Sequence, residues 1–192
     1  MSTAESTRLL TAEEFYDFCQ LPENEDRQHE LERGVVVEYP LEGARHGFVC
    51  AKVGMILGNY TRARRRGYVC SNGVGIIWER EPDTVKGPDL VLFDEIRRFD
   101  ELPTKYSEHR PLLVVEVRSP DDRWAKLHRR IAQFLKCGTG VVWVVDSEDR
   151  TVAVFRPNQI HQVFDEDEEL TGGDELPDFR CRVAEFFAMP GA

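Results

Sequence analysis

The sequence predicts an α/β domain organised around a central mixed β-sheet, and three observations carry that expectation. Leu112–Val117 and Val141–Val145 are almost wholly apolar runs of strand length, as strands buried on both faces require. Two stretches, about 44–66 and from Ser119 to near Gly138, repeat apolar residues at helical spacing. Neither a repeat nor a linker-like shift in composition divides the 192 residues, a length that one core can serve. The expected boundaries are a loose leader over 1–10, a single domain over 11–188 and a tail over 189–192.

Thr11-Ala12-Glu13-Glu14 has the form of a capping box and should open a short helix that buries Phe15 and Phe18. Leu21–Asp26 is a polar turn. His29–Tyr39 follows as a strand pair, with Gly34 at the bend and Val35–Val37 as its apolar stretch. A longer helix should run from about Ala44 to Arg66, with Val49, Val53, Ile56, Leu57 and Tyr60 at helical spacing. Gly67 is placed to end it in the left-handed conformation. Tyr68–Cys70 and Val74–Trp78 are expected as strands about an Asn72-Gly73 turn. Glu81–Thr84 is a turn, Pro88–Phe93 a short strand, and 94–110 a polar loop or short helix. After Leu112–Val117, Ser119-Pro120-Asp121-Asp122 should start a helix, with Ser or Asp as its cap. Leu127, Ile131, Phe134 and Leu135 form the apolar stripe of that helix. Val141–Val145 and Thr151–Phe155 are strands joined by the tight turn 146–150. An acidic loop, Leu176–Phe179 and a short helix ending in Phe186-Phe187 complete the order.

Composition narrows the classes. An apolar share of 41% with 11 Phe argues against a disordered chain, and the apolar runs are far too short to span a bilayer. Neither a signal-like stretch nor a lipidation motif is seen, so a cytoplasmic protein without a membrane partner is expected. Cys19, Cys50, Cys70, Cys137 and Cys181 are odd in number and scattered, with no CxxC and no histidine at zinc-finger spacing. Reduced thiols are expected, not a disulfide frame or a structural zinc site.

The formal net charge of −10 at first disfavours nucleic acid as a partner. Its distribution reverses that inference. Residues 1–32 carry a net −7 and residues 165–178 a net −8, which leaves the rest of the chain at +5. Arg62, Arg64, Arg65 and Arg66 form one basic group, which can serve the C-terminal helix dipole or contact phosphates. Arg123, Lys126, Arg129 and Arg130 form a second, with Trp124 beside it as a candidate for base stacking.

The chemistry-bearing conflict is Glu116. A carboxylate inside Leu112–Val117 costs several kcal/mol, on the order of 2–7, unless a cation or metal compensates it. Arg118 leaves the strand on the same face and could pair with it. Asp89 opens the strand after Gly87-Pro88, where turn chemistry is the simpler account. If the two strands are neighbours, Asp89 and Glu116 converge. Paired carboxylates favour a divalent ion, and oxygen-only ligands suit Mg²⁺ or Mn²⁺.

Pro88-Asp89 followed by Glu116-Val117-Arg118 resembles the PD-(D/E)XK signature of metal-dependent nucleases. The surrounding motifs are more specific. Thr11–Phe15, His29–Gly34, Arg45–Gly47, Gly87–Leu90, Glu116–Pro120, Gly138–Asp146, Thr151–Pro157 and Leu176–Phe179 occur in the order of the Uma-two family of restriction-endonuclease-like proteins. The likeness covers about residues 11–188. It implies a restriction-endonuclease-like core, a central mixed sheet flanked by helices. It also implies hydrolysis of phosphodiester bonds in nucleic acid, DNA first, with Mg²⁺ or Mn²⁺ held by Glu30, Asp89 and Glu116. A homodimer follows from the need to cut two strands. His46 matches a recurrent histidine that either caps the long helix or serves the site.

The chain departs from the family where a lysine is usual. Arg118 stands in the third position of the Glu-x-Lys motif, and Arg130 stands where the following helix usually carries lysine. Arginine can steady developing negative charge but cannot accept a proton. Lys126, four residues before Arg130 on the same helix face, could serve that region. The competing expectation is a degenerate site in which Arg118 and Arg130 pair with Glu116 and Asp89. The chain would then be a binding or assembly module.

Overall fold

A computed structural model describes residues 8–120, 122–189 and 191. In chain order it runs α1 (Ala12–Cys19), β1 (Gln28–Glu32), β2 (Val35–Tyr39), α2 (Ala44–Arg64), β3 (Tyr68–Ser71) and β4 (Ile76–Glu79). Next come β5 (Thr84–Lys86), β6 (Leu90–Phe93), β7 (Leu113–Arg118), α3 (Trp124–Lys136), β8 (Val141–Asp146) and β9 (Thr151–Phe155). β10 (Gln162–Phe164), β11 (Glu169–Thr171) and β12 (Arg180–Arg182) follow, then a 3-10 turn at Val183–Phe186. No helix among the described residues is long and apolar enough to cross a membrane.

The elements gather into two compact units. The first holds the described part of Met1–Leu41 with Gly75–Gly87 and Pro103–Glu108; the second holds Glu42–Val74, Pro88–Leu102 and the described part of His109–Ala192.

In the first unit an antiparallel sheet runs in the order β2-β1-β5-β4. The capping box forms as expected: Glu14 N donates to Thr11 Oγ1 (3.2 Å) and Thr11 N to the Glu14 carboxylate (3.0 Å). Asp83 Oδ2 adds a second anchor by accepting Ala12 N at 2.8 Å. α1 thereby lays Ala12 and Phe15 onto Leu31, Ile77 and Val85, with Phe18 half-buried at the margin. β1 and β2 turn through Arg33 and Gly34, both at positive φ (50° and 80°), the geometry of a two-residue hairpin loop. A Cβ on Gly34 would lie 2.7 Å from Leu9 Cβ, so the bend needs glycine.

The second unit is built on a six-stranded sheet in the order β10-β9-β8-β7-β6-β3. Its neighbours are antiparallel except β7 and β8, which run parallel because α3 carries the chain back across the sheet. Side chains alternate between the two faces. Leu113, Val115, Val117, Val141, Trp143 and Val145 cluster with Val49, Val53 and Leu57 of α2. The alternate residues of β7, Val114, Glu116 and Arg118, turn to the opposite face, where α3 lies and Arg130 meets Glu116. β11 and β12 form a small separate pair.

Five expectations are corrected. Asn72 and Gly73 do adopt positive φ (65° each), yet β3 pairs with β6 and β4 with β5. The turn dipeptide specifies a reversal; the partners are chosen by apolar faces that find more burial elsewhere. The left-handed residue that ends α2 is Arg65 (φ 52°), not Gly67. Gly67 (φ 84°) instead allows the backbone past Phe93 O, which a Cβ would approach to 2.8 Å. α3 starts only at Trp124, with Arg123 as an N-cap that makes no side-chain bond. Asp122 instead accepts Ser119 N (2.9 Å) in a turn before the helix, and Asp121, the other cap candidate, lies outside the described residues. The terminal helix is a single 3-10 turn, and the acidic stretch expected as loop carries β11. The expected leader and tail fall mostly outside the described residues, although Leu10 N donates to Gly34 O.

Candidate active site

β6 and β7 pair with Leu90 opposite Val115, and Asp89 immediately precedes β6. The two residues singled out by the sequence therefore stand near one end of the second unit's sheet, where Asp89 Oδ2 accepts the amide of Val117, the neighbour of Glu116. Glu116 is buried, with 8% of its surface exposed. Its compensation comes from α3, where Arg130 Nε donates to Glu116 Oε1 at 2.8 Å while the guanidinium lies over the Phe134 ring.

Asp89 is held differently. Its Oδ2 accepts the Val117 amide at 2.7 Å, one step beyond the paired end of β6, and also faces His46 Nε2 at 3.2 Å. His46 stands in the first turn of α2, and its Nδ1 lies 3.6 Å from Cys50 Sγ one turn along the helix. Burial alone would lower the imidazole pKa, but the Asp89 carboxylate and then Cys50 outweigh it and push it up to about 11. The ring is thus cationic at neutral pH, with Nε2 donating to Asp89. Burial likewise pushes the Cys50 thiol up, which keeps it protonated.

Arg118 has another partner. Its Nη1 donates to Asp146 Oδ2 at 2.6 Å, and its guanidinium lies over the Trp124 ring, 5.0 Å from the centroid. The expected pairing with Glu116 gives way to this one for a geometric reason. Residues two apart on a strand are about 6.6 Å apart, whereas Asp146 is directly beside Arg118 in the parallel neighbour, about 4.8 Å away. The closed-site expectation is likewise half met: Arg130 does pair with Glu116, but the cation at Asp89 is His46.

The second unit thus brings together Asp89, Glu116, Arg130 and His46, with Arg118 alongside on β7. Lys126 is exposed in the first turn of α3, one turn before Arg130. Glu30 belongs to β1 of the first unit, where it is 7% exposed and accepts Gly87 N at 2.9 Å. His46 does not cap α2: the N-cap is Gly43, without a side-chain bond.

Two participants were not foreseen, Cys50 and Asp146. Cys50 was signalled by its four-residue spacing from His46, and Asp146 by ending an apolar run as Arg118 ends the other. His46, Cys50 and Asp89 each offer a donor atom within 4.8 Å of the others, a cluster that sequence spacing conceals because Asp89 comes from a distant strand.

Asp89 offers an oxygen donor of the kind a hard divalent cation takes. Asp89 Oδ1 makes no hydrogen bond among the described residues, and its side chain is 24% exposed. A carboxylate or two with several waters is the usual protein contribution to Mg²⁺.

A crystal structure from Anabaena variabilis, described as "a putative nuclease belonging to DUF820", has the same fold. It matches with a TM-score of 0.76 at 22% identity, over 93% of this chain and 97% of that one. The two chains therefore share an α/β fold, a mixed sheet with helices. No curated protein is significantly similar to the chain. The model of the Uma2 family, whose description is "Putative restriction endonuclease", matches residues 12–184, and the chain belongs to that family.

Proposed function

We propose that this protein is a divalent-metal-dependent endonuclease that hydrolyses phosphodiester bonds in nucleic acid, with DNA as the preferred substrate, and acts in the cytoplasm. The observation that carries the reading is that Asp89, at the start of β6, accepts the Val117 amide beside Glu116 in a member of this family.

Asp89 and Glu116 would hold Mg²⁺ or Mn²⁺. Such an ion polarises a phosphoryl oxygen and lowers the pKa of a bound water. The chain's own groups do the rest. Val117 N and His46 fix the orientation of Asp89. Arg130 holds Glu116 and offers a permanent positive charge to a phosphate. Lys126, exposed one turn earlier, can orient the attacking water, a task that arginine performs poorly. Arg118 is already matched by Asp146, so it acts as a brace beneath Trp124.

Cleavage of DNA and RNA with Mg²⁺ or Mn²⁺ tests the assignment. Asp89→Ala and Glu116→Ala should each lower the rate by on the order of a hundredfold or more. Cleavage that survives both substitutions would sink it. Cutting both strands calls for two sites, so a homodimer is part of the proposal, to be read by sedimentation.

One observation favours a second reading, a binding or assembly module on the nuclease fold. Both carboxylates already have cationic partners, Arg130 and His46. Calorimetric titration separates the readings: Mn²⁺ binding that disappears in Asp89→Ala excludes the closed-site account.

A further inference from the structure

We propose that His46, Cys50 and Asp89 form a second cation site, suited to a borderline-soft divalent ion of the zinc class. Resting on the nuclease reading, we infer further that filling it withdraws Asp89 from the hard-cation site. α2 presents His46 and Cys50 one turn apart, and the start of β6 delivers Asp89. Zinc bonds of about 2.0–2.3 Å at tetrahedral angles place ligand atoms about 3.3–3.6 Å apart. His46 Nε2 and Asp89 Oδ2 are already 3.2 Å apart, and one ring nitrogen of His46, Cys50 Sγ and an Asp89 oxygen lie within 4.8 Å of one another. Cys50 Sγ now lies at the other ring nitrogen, 3.6 Å from Nδ1, so the thiol and the imidazole must rotate for both to reach one ion.

The donor chemistry sets the selectivity. Thiolate and imidazole favour zinc-class ions, while Mg²⁺ asks for oxygen ligands in octahedral array. Three protein ligands leave a fourth position for water, the arrangement of open zinc sites. Val117 N, donating to Asp89 Oδ2, supplies the outer support that keeps such a carboxylate in place. None of the three residues is fully buried, so an ion has access. Binding displaces one proton from the imidazole and one from the thiol to solvent. The ion then takes the Asp89 oxygen that His46 now engages. Zinc and magnesium become competitors for one carboxylate.

Co²⁺ is the probe, added to the metal-free full-length chain. The wild type should show thiolate-to-cobalt charge-transfer absorption in the near ultraviolet, and one equivalent of Zn²⁺ should abolish it. Cys50→Ser and His46→Gln should lose the band and weaken binding by at least about tenfold, while Glu116→Ala keeps it. Zn²⁺ should raise the melting temperature of the wild type and not that of Cys50→Ser, with circular dichroism confirming that each variant is folded. No band in the wild type, or a band unchanged in Cys50→Ser and so owed to another thiol, overturns the site. The coupling is read as the ratio of Mg²⁺-dependent cleavage with and without micromolar Zn²⁺. That ratio should fall in the wild type and stay near unity in Cys50→Ser; equal inhibition of both overturns the competition. If no cleavage occurs under any condition, the nuclease reading and the coupling fail together, while the cobalt band still judges the site.

Discussion

At the scale of single residues, buried charge decides most. Glu116 and Arg130 have side chains 11% and 14% exposed, so removing one partner strands the other in an apolar surrounding. Arg130→Met should cost about 3–5 kcal/mol in urea unfolding, and Glu116→Leu added to it should recover most of that loss. A double variant no more stable than Arg130→Met would show that the pair is not the source. Asp83 is the corresponding residue of the first unit. Burial works to raise its pKa, but the Ala12 and Glu81 amides, then Arg80, outweigh it and hold it below the ordinary value. A depressed folded pKa means the stabilisation is complete above the unfolded value, about 3.9, and is lost as pH falls through the folded one. Asp83→Asn should therefore lower stability at neutral pH and flatten its decline in acid, as followed by urea midpoints across that range. Asp89 and Glu116 were legible because a carboxylate opening or interrupting an apolar strand is costly and needs a reason. The partners of Arg118 and Asp89 were not, because cross-strand and helix-to-strand neighbours have no fixed spacing in sequence.

At the scale of elements, period and burial carry the stability. Leu57 is fully buried in α2 and packs with the sheet of the second unit, so Leu57→Ala should cost about 2–5 kcal/mol. Met55, two residues earlier and 53% exposed, should tolerate alanine within about 0.5 kcal/mol. Urea midpoints of the two variants compare them directly. α2, β7, β8 and β9 were legible because each carries enough residues for its period to show. β10 to β12 were not, since three residues are too short for alternation to register. In β11 and β12 a single buried residue, Leu170 or Cys181, stands between charged or polar neighbours. The start of α3 was misplaced because Ser119 and Asp122 satisfy each other in a turn, and such local bonds compete with helix capping.

At the scale of the whole molecule, charge is partitioned along the chain. With −7 over residues 1–32 and −8 over 165–178, the remaining +5 includes the α3 group of Arg123, Lys126, Arg129 and Arg130. Binding to duplex nucleic acid should accordingly be weak and steeply salt-dependent. Lys126→Ala should reduce the log–log salt slope by about one if that lysine contacts a phosphate, measured by fluorescence anisotropy over a salt series. An unchanged slope would remove Lys126 from the contact set. The sequence by itself determined the α/β class and the order of the main elements, and it singled out one carboxylate opening a strand and one interrupting another. Those follow from hydrophobic periodicity and from the cost of burying charge, and both are written locally. Only the tertiary structure decided that β3 and β4 part company and that Arg118 turns to Asp146. It alone revealed His46 and Cys50 beside Asp89. These are choices among distant partners, and burial of complementary faces makes them, which a one-dimensional spacing does not encode.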